Sequence, residues 1–420
     1  MGGGRSAVEG TISLSEASRF GGNSTSFSLM LKPVGSKCNL RCDYCYYLDK
    51  ASSVYSGREP VMGTDLLELC IRDFCASCDL PELTVEWHGG EPLLAGMSFF
   101  RSALAFERKY AGGRPVHNTL QTNGTLLDRD WAEFFHDNDF LLGLSLDGPE
   151  DIHDRYRRTA SGGGTFRDVM HALEIMHRER VEFNTLTTVS KAGEGRGAEV
   201  YRFLKSVGSQ YMQFMPVYEH LLPALPSVSG REAVRIASPR EPETVLAPWS
   251  VGSEAFGRYL CDVFDEWVKR DVGRYFVLTF DAALSSWCGV QPGICTFCES
   301  CGGNLTVEHN GDIYPCDHFV YPDWRLGNIR VLSLRDAATS PLLTRFGLAK
   351  RTDLPQSCLR CPWLRACRGG CPKHRFGTSS GQLPLCSGYR LFYSHIAPVM
   401  DRMRQIIAEG RSPAEICHNC

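Results

Sequence analysis

Three cysteines spaced C-x3-C-x2-C follow the first strand-like run of the chain, at Cys38, Cys42 and Cys45. Three thiolates can hold three corners of a 4Fe-4S cube and leave one iron open, whereas electron-transfer ferredoxins use four cysteines per cluster. A zinc site with a distant fourth ligand is the alternative, but zinc knuckles favour C-x2-C pairs. The run therefore predicts a cluster whose open iron binds a substrate or cofactor.

The number and spacing of the other cysteines indicate metal ligation rather than disulfide bonding. The chain has 19 cysteines, an odd number, and many of them lie at short intervals. It has no apolar run of about 18 residues, and its polar, Gly/Ser-rich N-terminus lacks the apolar segment of a signal peptide. We therefore expect a cytoplasmic protein that is not inserted in a membrane, with thiols kept reduced for metal binding or catalysis.

Length and composition indicate the domain organisation, and the net charge argues against nucleic-acid binding. With 420 residues, 43% of them hydrophobic, the chain is long enough for one large domain and a smaller appended one. The formal net charge is −3, and the sequence shows no local basic patch. Nucleic acid is therefore not an expected partner.

Strand-like and helix-like segments alternate through the first half of the chain with the period of about 30 residues that βα units require. The predicted strands are Ser26–Pro33, Leu83–His88, Val116–Thr122, Phe140–Leu146, Val181–Val189 and Tyr211–Val217. The predicted helices are Thr64–Cys78, Ser98–Tyr110, Asp128–Asn138, Thr165–Arg180 and Glu199–Val207, with Thr64, Ser98, Asp128 and Thr165 as N-caps. Six parallel strands favour an open or partial barrel over a sandwich.

Changes in composition divide the chain into five predicted parts. They are a flexible tail at 1–25, the α/β barrel at 26–250, a connecting helical segment at 251–287, a cysteine-rich domain at 288–402 and a second tail at 403–420. The proline-rich composition of Leu221–Ser250 indicates a linker or a flexible loop. The spacing of apolar residues in Glu254–Arg270 predicts a helix. After Cys288 we expect short segments in which metal centres replace a hydrophobic core.

The cysteine run resembles the signature of the radical S-adenosylmethionine (radical SAM) superfamily, which lies in the loop after the first strand. Gly89-Gly90-Glu91-Pro92 follows the second predicted strand and matches the family motif that meets the amino group of SAM. The glycines let backbone carbonyls approach the ammonium, and Glu91 can add charge or orient the loop. Taken alone, this motif is also compatible with a simple strand-to-helix turn. The resemblance implies a partial (β/α)6 radical SAM barrel.

Further SAM-binding residues follow from the same resemblance. Ser145 matches a family position that contacts the SAM carboxylate, and Tyr44 is assigned to the cofactor as well. Arg157 is a second carboxylate partner because a guanidinium forks onto carboxylates. Arg155 and Arg158 are open alternatives, and simple solvation on the surface is the other interpretation for each arginine.

The C-terminal third resembles the SPASM extension of peptide-modifying radical SAM enzymes, which implies two auxiliary 4Fe-4S clusters. By this resemblance one cluster uses Cys295, Cys301, Cys316 and Cys371, and the other uses Cys358, Cys361, Cys367 and Cys386. Cys288 or Cys298 could replace Cys295, and two zinc ribbons are the alternative to clusters. Four others, Cys70, Cys75, Cys78 and Cys261, read as small buried apolar residues. Cys417 and Cys420 receive no role.

Within the SPASM group, most of Ser26–Arg402 resembles the anaerobic sulfatase-maturating enzymes. The resemblance is carried by residues 120–126, 143–149, 310–317 and 324–329. It assigns Asp317, beside a cluster cysteine, as the general base, and Tyr47 as a residue that shapes the peptide pocket or packs as an aromatic. One departure is His88, where relatives carry Gln.

The reaction implied is oxidation of a cysteine or serine in an unfolded sulfatase segment with the motif (Cys/Ser)-x-Pro-x-Arg. A 5′-deoxyadenosyl radical made from SAM removes a Cβ hydrogen, Asp317 takes the thiol or hydroxyl proton, and the remaining electron passes towards the auxiliary clusters. Serine then gives the aldehyde of formylglycine directly, whereas cysteine gives a thioaldehyde that water hydrolyses to formylglycine. Flavodoxin or ferredoxin is the expected electron donor. The alternative hypothesis within the enzyme class is a SPASM maturase that forms a thioether or carbon-carbon link in a precursor peptide. A non-catalytic electron carrier is disfavoured, because it would have no reason to leave an iron open.

Overall fold

The computed structural model describes residues 25–47, 50, 54–55, 61–222, 244–375 and 381–418. The strands are β1 Ser28–Lys32, β2 Leu83–Trp87, β3 Val116–Thr122, β4 Leu141–Ser145, β5 Phe183–Val189, β6 Tyr211–Pro216, β7 His220–Leu221, β8 Val245–Leu246, β9 Phe276–Val277, β10 Asn304–Glu308, β11 Asp312–Tyr314 and β12 Gly327–Asn328. The helices are α1 Thr64–Ser77, α2 Met97–Tyr110, α3 Arg129–Asp137, α4 Glu150–Tyr156, α5 Phe166–Arg178, α6 Gly197–Ser206, α7 Ser253–Arg270, α8 Leu278–Trp287, α9 Leu334–Ala338, α10 Pro341–Thr352, α11 Gln356–Leu359, α12 Leu364–Cys367 and α13 Cys386–Ala408.

One sheet organises most of the chain. Its strand order is β12-β11-β10-β1-β2-β3-β4-β5-β6-β9, and β7 pairs only with β8. The pairs from β10 through β1 to β6 and β9 are parallel, whereas β10–β11 and β11–β12 are antiparallel. Among the described residues the end strands, β12 and β9, do not pair with each other, so the sheet is open. Parallel strands covered by helices bury both faces, which accounts for the fully buried Leu29, Leu31, Val85 and Leu142.

The predicted α/β fold is confirmed, with the six predicted strands β1 to β6 lying side by side in chain order. The helix N-caps are only partly as predicted. Asp128 caps α3 by accepting from the backbone N–H of Trp131, as expected. Thr64 and Ser98 are not N-caps, because the cap positions are Gly63 and Gly96. Thr165 occupies the cap position of α5 but forms no capping hydrogen bond.

The cysteine-rich part departs most from expectation, because it has a hydrophobic core and extends the main sheet. β10 pairs with β1 in parallel, with Ser28 opposite Asn304 and Lys32 opposite Glu308. Ile313, Phe319 and Phe346 are buried in the same core as the barrel strands. The expectation that metal centres replace a core in this region was therefore wrong.

A long helix, α13, ties the C-terminal part to the connecting segment. It packs along α7, where a Cβ on Gly388 would lie 1.9 Å from the carbonyl oxygen of Ser253, so only glycine permits this approach. The helix crosses residue 403, where the C-terminal tail was predicted to begin, and Met403 and Ile406 are buried.

Some predictions fall on residues that the structure does not describe. They are the tail up to residue 24, most of the linker at 223–243, and Cys420. In the part of the chain that is described, no helix has the length and apolar character needed to cross a membrane.

Candidate active site

The predicted site residues converge at one edge of the sheet. The loop with Cys38, Cys42 and Cys45 follows β1, Gly89 and Gly90 follow β2, and further polar residues follow β3 and β4. The carboxyl ends of adjacent parallel strands share one edge, which is where ligands bind in parallel α/β folds. Residues far apart in the sequence therefore form a single site.

The three cysteines of the first loop suit a cluster. Burial raises the pKa of Cys38 to about 12 and that of Cys42 to about 11, and the charge of neighbouring thiolates adds to both shifts. The thiols are thus close enough to repel one another when ionised. A bound iron centre relieves this repulsion, because thiolates are its preferred ligands. The donor set therefore fits a cluster held by three protein ligands.

The Gly-Gly-Glu-Pro loop is packed against the cysteine loop. The N–H of Gly90 donates to the carbonyl of Gly35 over 2.8 Å, and the N–H of Glu91 donates to that of Lys37 over 3.0 Å. A Cβ on Gly90 would lie 2.0 Å from the Lys37 oxygen, and Gly89 has φ of 130°. Both glycines are therefore required for close approach of the two loops, and Lys37 directly precedes Cys38.

Glu91 is fully buried and bonded to the protein. Its carboxylate accepts hydrogen bonds from the N–H of Leu93, the hydroxyl of Thr122 and the N–H of Asn123, over 2.8–3.1 Å. Burial nevertheless raises its pKa to about 7. Of the two roles considered for Glu91, these contacts favour orientation of the loop.

Arg157, Asp147 and Tyr44 form one buried network at the end of β4. Arg157 donates to both carboxylate oxygens of Asp147 over 3.0 and 3.2 Å, and the hydroxyl of Tyr44 donates to Oδ2 of Asp147 over 2.5 Å. Among the three candidate arginines, Arg157 is buried and Arg155 is exposed. The guanidinium already holds a carboxylate of the protein, so contacts of Arg157 and Tyr44 with SAM stay predictions.

Ser145 lies at the end of β4, beside the neighbouring strand. Its hydroxyl accepts a hydrogen bond from the side-chain amide of Gln121 over 2.9 Å, and Ser145 is buried. Gln121 thereby fixes the hydroxyl at the ligand-binding edge of the sheet. The assignment of Ser145 to SAM stays a prediction.

Asp317 lies where the cysteine-rich part meets the barrel. Its Oδ2 accepts a hydrogen bond from the hydroxyl of Tyr46 over 2.6 Å and lies 4.0 Å from Nζ of Lys32 and 3.9 Å from Nε2 of His318. Burial acts to raise the pKa of Asp317, but the neighbouring cationic groups and the Tyr46 hydrogen bond hold it well below its usual range. A partly exposed, ionised carboxylate therefore lies at the contact between Tyr46 and the cysteine-rich part.

The pairing of β10 with β1 brings the ammonium of Lys32 to this carboxylate. Lys32 is fully buried, and its Nζ has no hydrogen-bond partner within the described ranges. Nζ lies 3.8 Å from the ring centroid of Tyr47, whose hydroxyl donates to Glu308. Tyr47 is thus engaged in a buried aromatic and hydrogen-bonding cluster, and its role in a peptide pocket stays a prediction.

Two side chains at the site were not assigned a function from the sequence. Tyr46 was overlooked between Tyr44 and Tyr47, although its position directly after Cys45 was a usable signal. His88 was noted only as a departure. Its Nδ1 accepts the N–H of Gly89 over 2.7 Å, and burial lowers its pKa to about 3. His88 is therefore neutral, with its proton on Nε2.

The eight C-terminal cysteines separate into two groups of four. Burial raises the pKa of Cys295, and the thiolates of Cys371 and Cys301 add to this shift. Burial likewise raises the pKa of Cys316, with further contributions from the charges of Asp317, Cys295 and Cys371. The second group is Cys358, Cys361, Cys367 and Cys386, which line one cavity of about 150 Å³. Its thiolates likewise raise the pKa of Cys367, in addition to burial. These are the two predicted ligand sets, and each offers the four thiols that a 4Fe-4S cluster requires.

The remaining cysteines have other surroundings. The thiol of Cys298 is buried within 3.4 Å of the carbonyl of Pro292 and 3.5 Å of that of Ile294, and Cys288 lies at the end of α8. These contacts favour Cys295 over Cys298 as a ligand. Four cysteines are buried in or beside helices, as expected: Cys70, Cys75, Cys78 and Cys261.

Comparison with known families and proteins agrees with this geometry. Residues 33–203 match the radical SAM superfamily, and residues 298–362 match the SPASM iron-sulfur cluster-binding domain. A serine-type anaerobic sulfatase-maturating enzyme of Bacteroides thetaiotaomicron is 41% identical over 92% of this chain and 94% of its own length. A cysteine-type enzyme of Clostridium novyi is 31% identical over 88% of this chain and 94% of its own.

One solved structure is similar to this chain over nearly the whole length of the solved protein. Native anSMEcpe with bound AdoMet and the Cp18Cys peptide superposes with a TM-score of 0.77 at 29% identity, covering 90% of this chain and 99% of that one. The similarity thus includes both the barrel and the cysteine-rich part.

Proposed function

Because the chain belongs to the anaerobic sulfatase-maturating enzymes, a family of radical SAM enzymes, we propose that it oxidises a serine or cysteine of a sulfatase to Cα-formylglycine. The observation that carries this proposal is the position of Asp317. Its carboxylate accepts a hydrogen bond from Tyr46, the residue after Cys45, and Asp317 itself follows Cys316 of the first four-cysteine group. A base at that position can act on a substrate residue that is bound near the three-cysteine site and the first four-cysteine group.

The cysteines define where the cofactors would lie. Cys38, Cys42 and Cys45 would hold the cluster with the open iron, and the two four-cysteine groups would hold the auxiliary clusters. With SAM bound, this centre would supply the 5′-deoxyadenosyl radical needed to abstract one Cβ hydrogen of the target residue.

Asp317 then takes the proton of the target hydroxyl or thiol. Loss of the Cβ hydrogen acidifies that group, which lowers the basicity that a carboxylate needs to take its proton. Lys32 and His318 hold Asp317 ionised, and Tyr46 fixes the orientation of Oδ2. The Glu91 carboxylate, through its hydrogen bonds from Leu93, Thr122 and Asn123, fixes the Gly-Gly-Glu-Pro loop against the end of β3, and the backbone N–H of Glu91 bonds the cysteine loop at Lys37.

The proposed substrate is an unfolded sulfatase segment with the motif (Cys/Ser)-x-Pro-x-Arg. Relatives of both the serine type and the cysteine type are similar along nearly the whole chain, so both residues are included. All described cysteines are free thiols, which supports a reducing, cytoplasmic setting. An electron carrier such as flavodoxin or ferredoxin is part of the proposal, because SAM cleavage consumes one electron.

The test is anaerobic incubation of the reconstituted enzyme with SAM, reductant and two peptides that differ only in Ser or Cys at the target position. Mass spectrometry should show formylglycine in at least one peptide. A cross-linked product, or unchanged peptides while 5′-deoxyadenosine accumulates, would contradict the proposal and favour a different maturase reaction.

A further inference from the structure

The second four-cysteine group lies beneath an opening on the protein surface. The cavity of about 150 Å³ that contains Cys358, Cys361, Cys367 and Cys386 is also lined by exposed residues. These are Ser357, Arg360, Pro362 and Arg390. A redox centre in this cavity would therefore be near the surface, where a second protein can approach it.

The surface around this opening is cationic. Arg360, Arg365 and Arg390 are exposed, and in the described ranges none of them is paired with a carboxylate. No described Asp or Glu lines the cavity. Cζ of Arg365 lies 4.7 Å from the ring centroid of Trp287, so this side chain is held in place. The chain as a whole has a net charge of −3, so these positive charges are a local feature.

Two exposed apolar residues are near Arg360 in the sequence. Leu359 is 51% exposed, and Pro362 is exposed beside Cys361. Exposed apolar residues with arginines and without carboxylates are typical of protein interfaces. Redox encounters use small interfaces, below about 1,200 Å². The patch formed by Leu359, Arg360, Pro362, Arg365 and Arg390, which we name the cationic face, has this character.

We propose that the cationic face docks a small acidic one-electron carrier protein of the flavodoxin or ferredoxin class. The proposal rests on the proposed function, in which oxidation of CH2OH or CH2SH removes two electrons and two protons in all. One electron and one proton leave as a hydrogen atom to the deoxyadenosyl radical, and the second proton goes to Asp317. The second electron is accepted by the oxidised carrier, which is reduced by one electron. Complementary charge favours an acidic carrier and speeds its encounter with this face.

Charge reversal tests the docking directly. The probe is a purified, oxidised ferredoxin of negative net charge, and the enzyme is the full-length, reconstituted protein. Binding is measured by calorimetry, and electron transfer from the reduced enzyme is measured by stopped-flow absorbance. We expect Arg360→Glu/Arg390→Glu to weaken binding and slow electron transfer about tenfold or more at low salt. Wild-type binding should weaken as salt is added.

A matched control separates a local effect from net charge. Arg101→Glu/Arg108→Glu makes the same charge change on exposed positions of α2 and should leave both quantities within about twofold of wild type. The neutral pair Arg360→Gln/Arg390→Gln should give a smaller loss, and iron content verifies folding of each variant. Unchanged binding in the Glu pair, or an equal loss in the control, would overturn the proposal.

The readouts also separate this proposal from the proposed function. Formylglycine formation is assayed apart from the ferredoxin, with dithionite as reductant. If the wild type makes no formylglycine but its ferredoxin binding depends on Arg360 and Arg390, the docking face stands and the substrate assignment fails. If formylglycine forms but ferredoxin binding does not depend on Arg360 and Arg390, the substrate assignment stands and the docking face fails.

Discussion

The hydroxyl of Tyr46 donates a hydrogen bond to Oδ2 of Asp317 over 2.6 Å. Tyr46 directly follows Cys45, and Asp317 directly follows Cys316, so this single contact joins two cysteine loops that are 271 residues apart. The ring of Tyr46 is also held by Lys373, whose Nζ lies 4.3 Å from its centroid and pairs with Glu219. Tyr46 is therefore a positioning residue for the proposed base.

Tyr46→Phe keeps the ring and removes this hydrogen bond. A hydrogen bond to a charged group contributes about 1.5–3 kcal/mol, so we expect formylglycine formation to slow about tenfold or more. Iron content and 5′-deoxyadenosine formation should change little, which raises the ratio of 5′-deoxyadenosine to formylglycine. A merely structural role would leave that ratio unchanged.

The control for this variant is Tyr259→Phe. The hydroxyl of Tyr259 is buried and has no hydrogen-bond partner in the described chain, so its loss should not alter the ratio. Equal ratios in Tyr46→Phe, Tyr259→Phe and the wild type would refute a positioning role for Tyr46.

Gly90→Ala should damage the first cluster site as well as SAM cleavage. The added Cβ would lie 2.0 Å from the Lys37 oxygen, and that backbone leads into Cys38. We expect loss of SAM cleavage and of up to about a third of the iron, since one of three clusters is affected. Gly193→Ala is the control, because its Cβ meets only ordinary contacts. Normal SAM cleavage by Gly90→Ala would show that the loops do not need this approach.

Arg157→Gln should destabilise the fold. It leaves the buried carboxylate of Asp147 without its cation, and breaking a buried pair in this way costs about 3–5 kcal/mol. The measurement is the denaturation midpoint, with exposed Arg155→Gln as a control that should change stability by about 0.5 kcal/mol or less. Equal midpoints for the two variants would mean that the Asp147 pair contributes no net stability.

Replacement of single cysteines distinguishes the ligands from their neighbours. Three 4Fe-4S clusters correspond to about twelve irons, and Cys295→Ala should reduce this to about eight. Cys298→Ala should keep about twelve, because its thiol faces backbone carbonyls. The measurement is iron per protein after anaerobic reconstitution. The opposite pattern would exchange the roles of the two cysteines.

Local patterns were sufficient to predict the barrel strands. The observed limits of β3, Val116–Thr122, are those predicted, because strand propensity and the flanking turn residues are properties of neighbouring positions. The pairing of β1 with β10 was not predictable in this way. It pairs Lys32 with Glu308, two residues that are far apart in the sequence, and no local pattern specifies such a partner. The position of the Lys32 ammonium beside Asp317 depends on the pairing of β1 with β10.

The sequence suggested which residue types make up the site but not their contacts. Spacing indicated the three-cysteine site, because metal geometry restricts spacing, and the family resemblance supplied the two C-terminal sets, whose role as ligands stays a prediction. The choice among Tyr44, Tyr46 and Tyr47 depends on where each ring points after a tight loop, which composition does not encode. The role of Gly90 likewise became clear only from the backbone of Lys37 that it contacts.

The most direct test of the account is the rate at which Asp317→Asn converts the target peptide to formylglycine, measured by mass spectrometry. Asparagine keeps the size and hydrogen-bonding capacity of Asp317 and removes the basic carboxylate. We predict a loss on the order of a hundredfold or more, with iron content and SAM binding as in the wild type. Formylglycine formation at the wild-type rate would contradict the account, since the carboxylate bonded to Tyr46 would then not be the base.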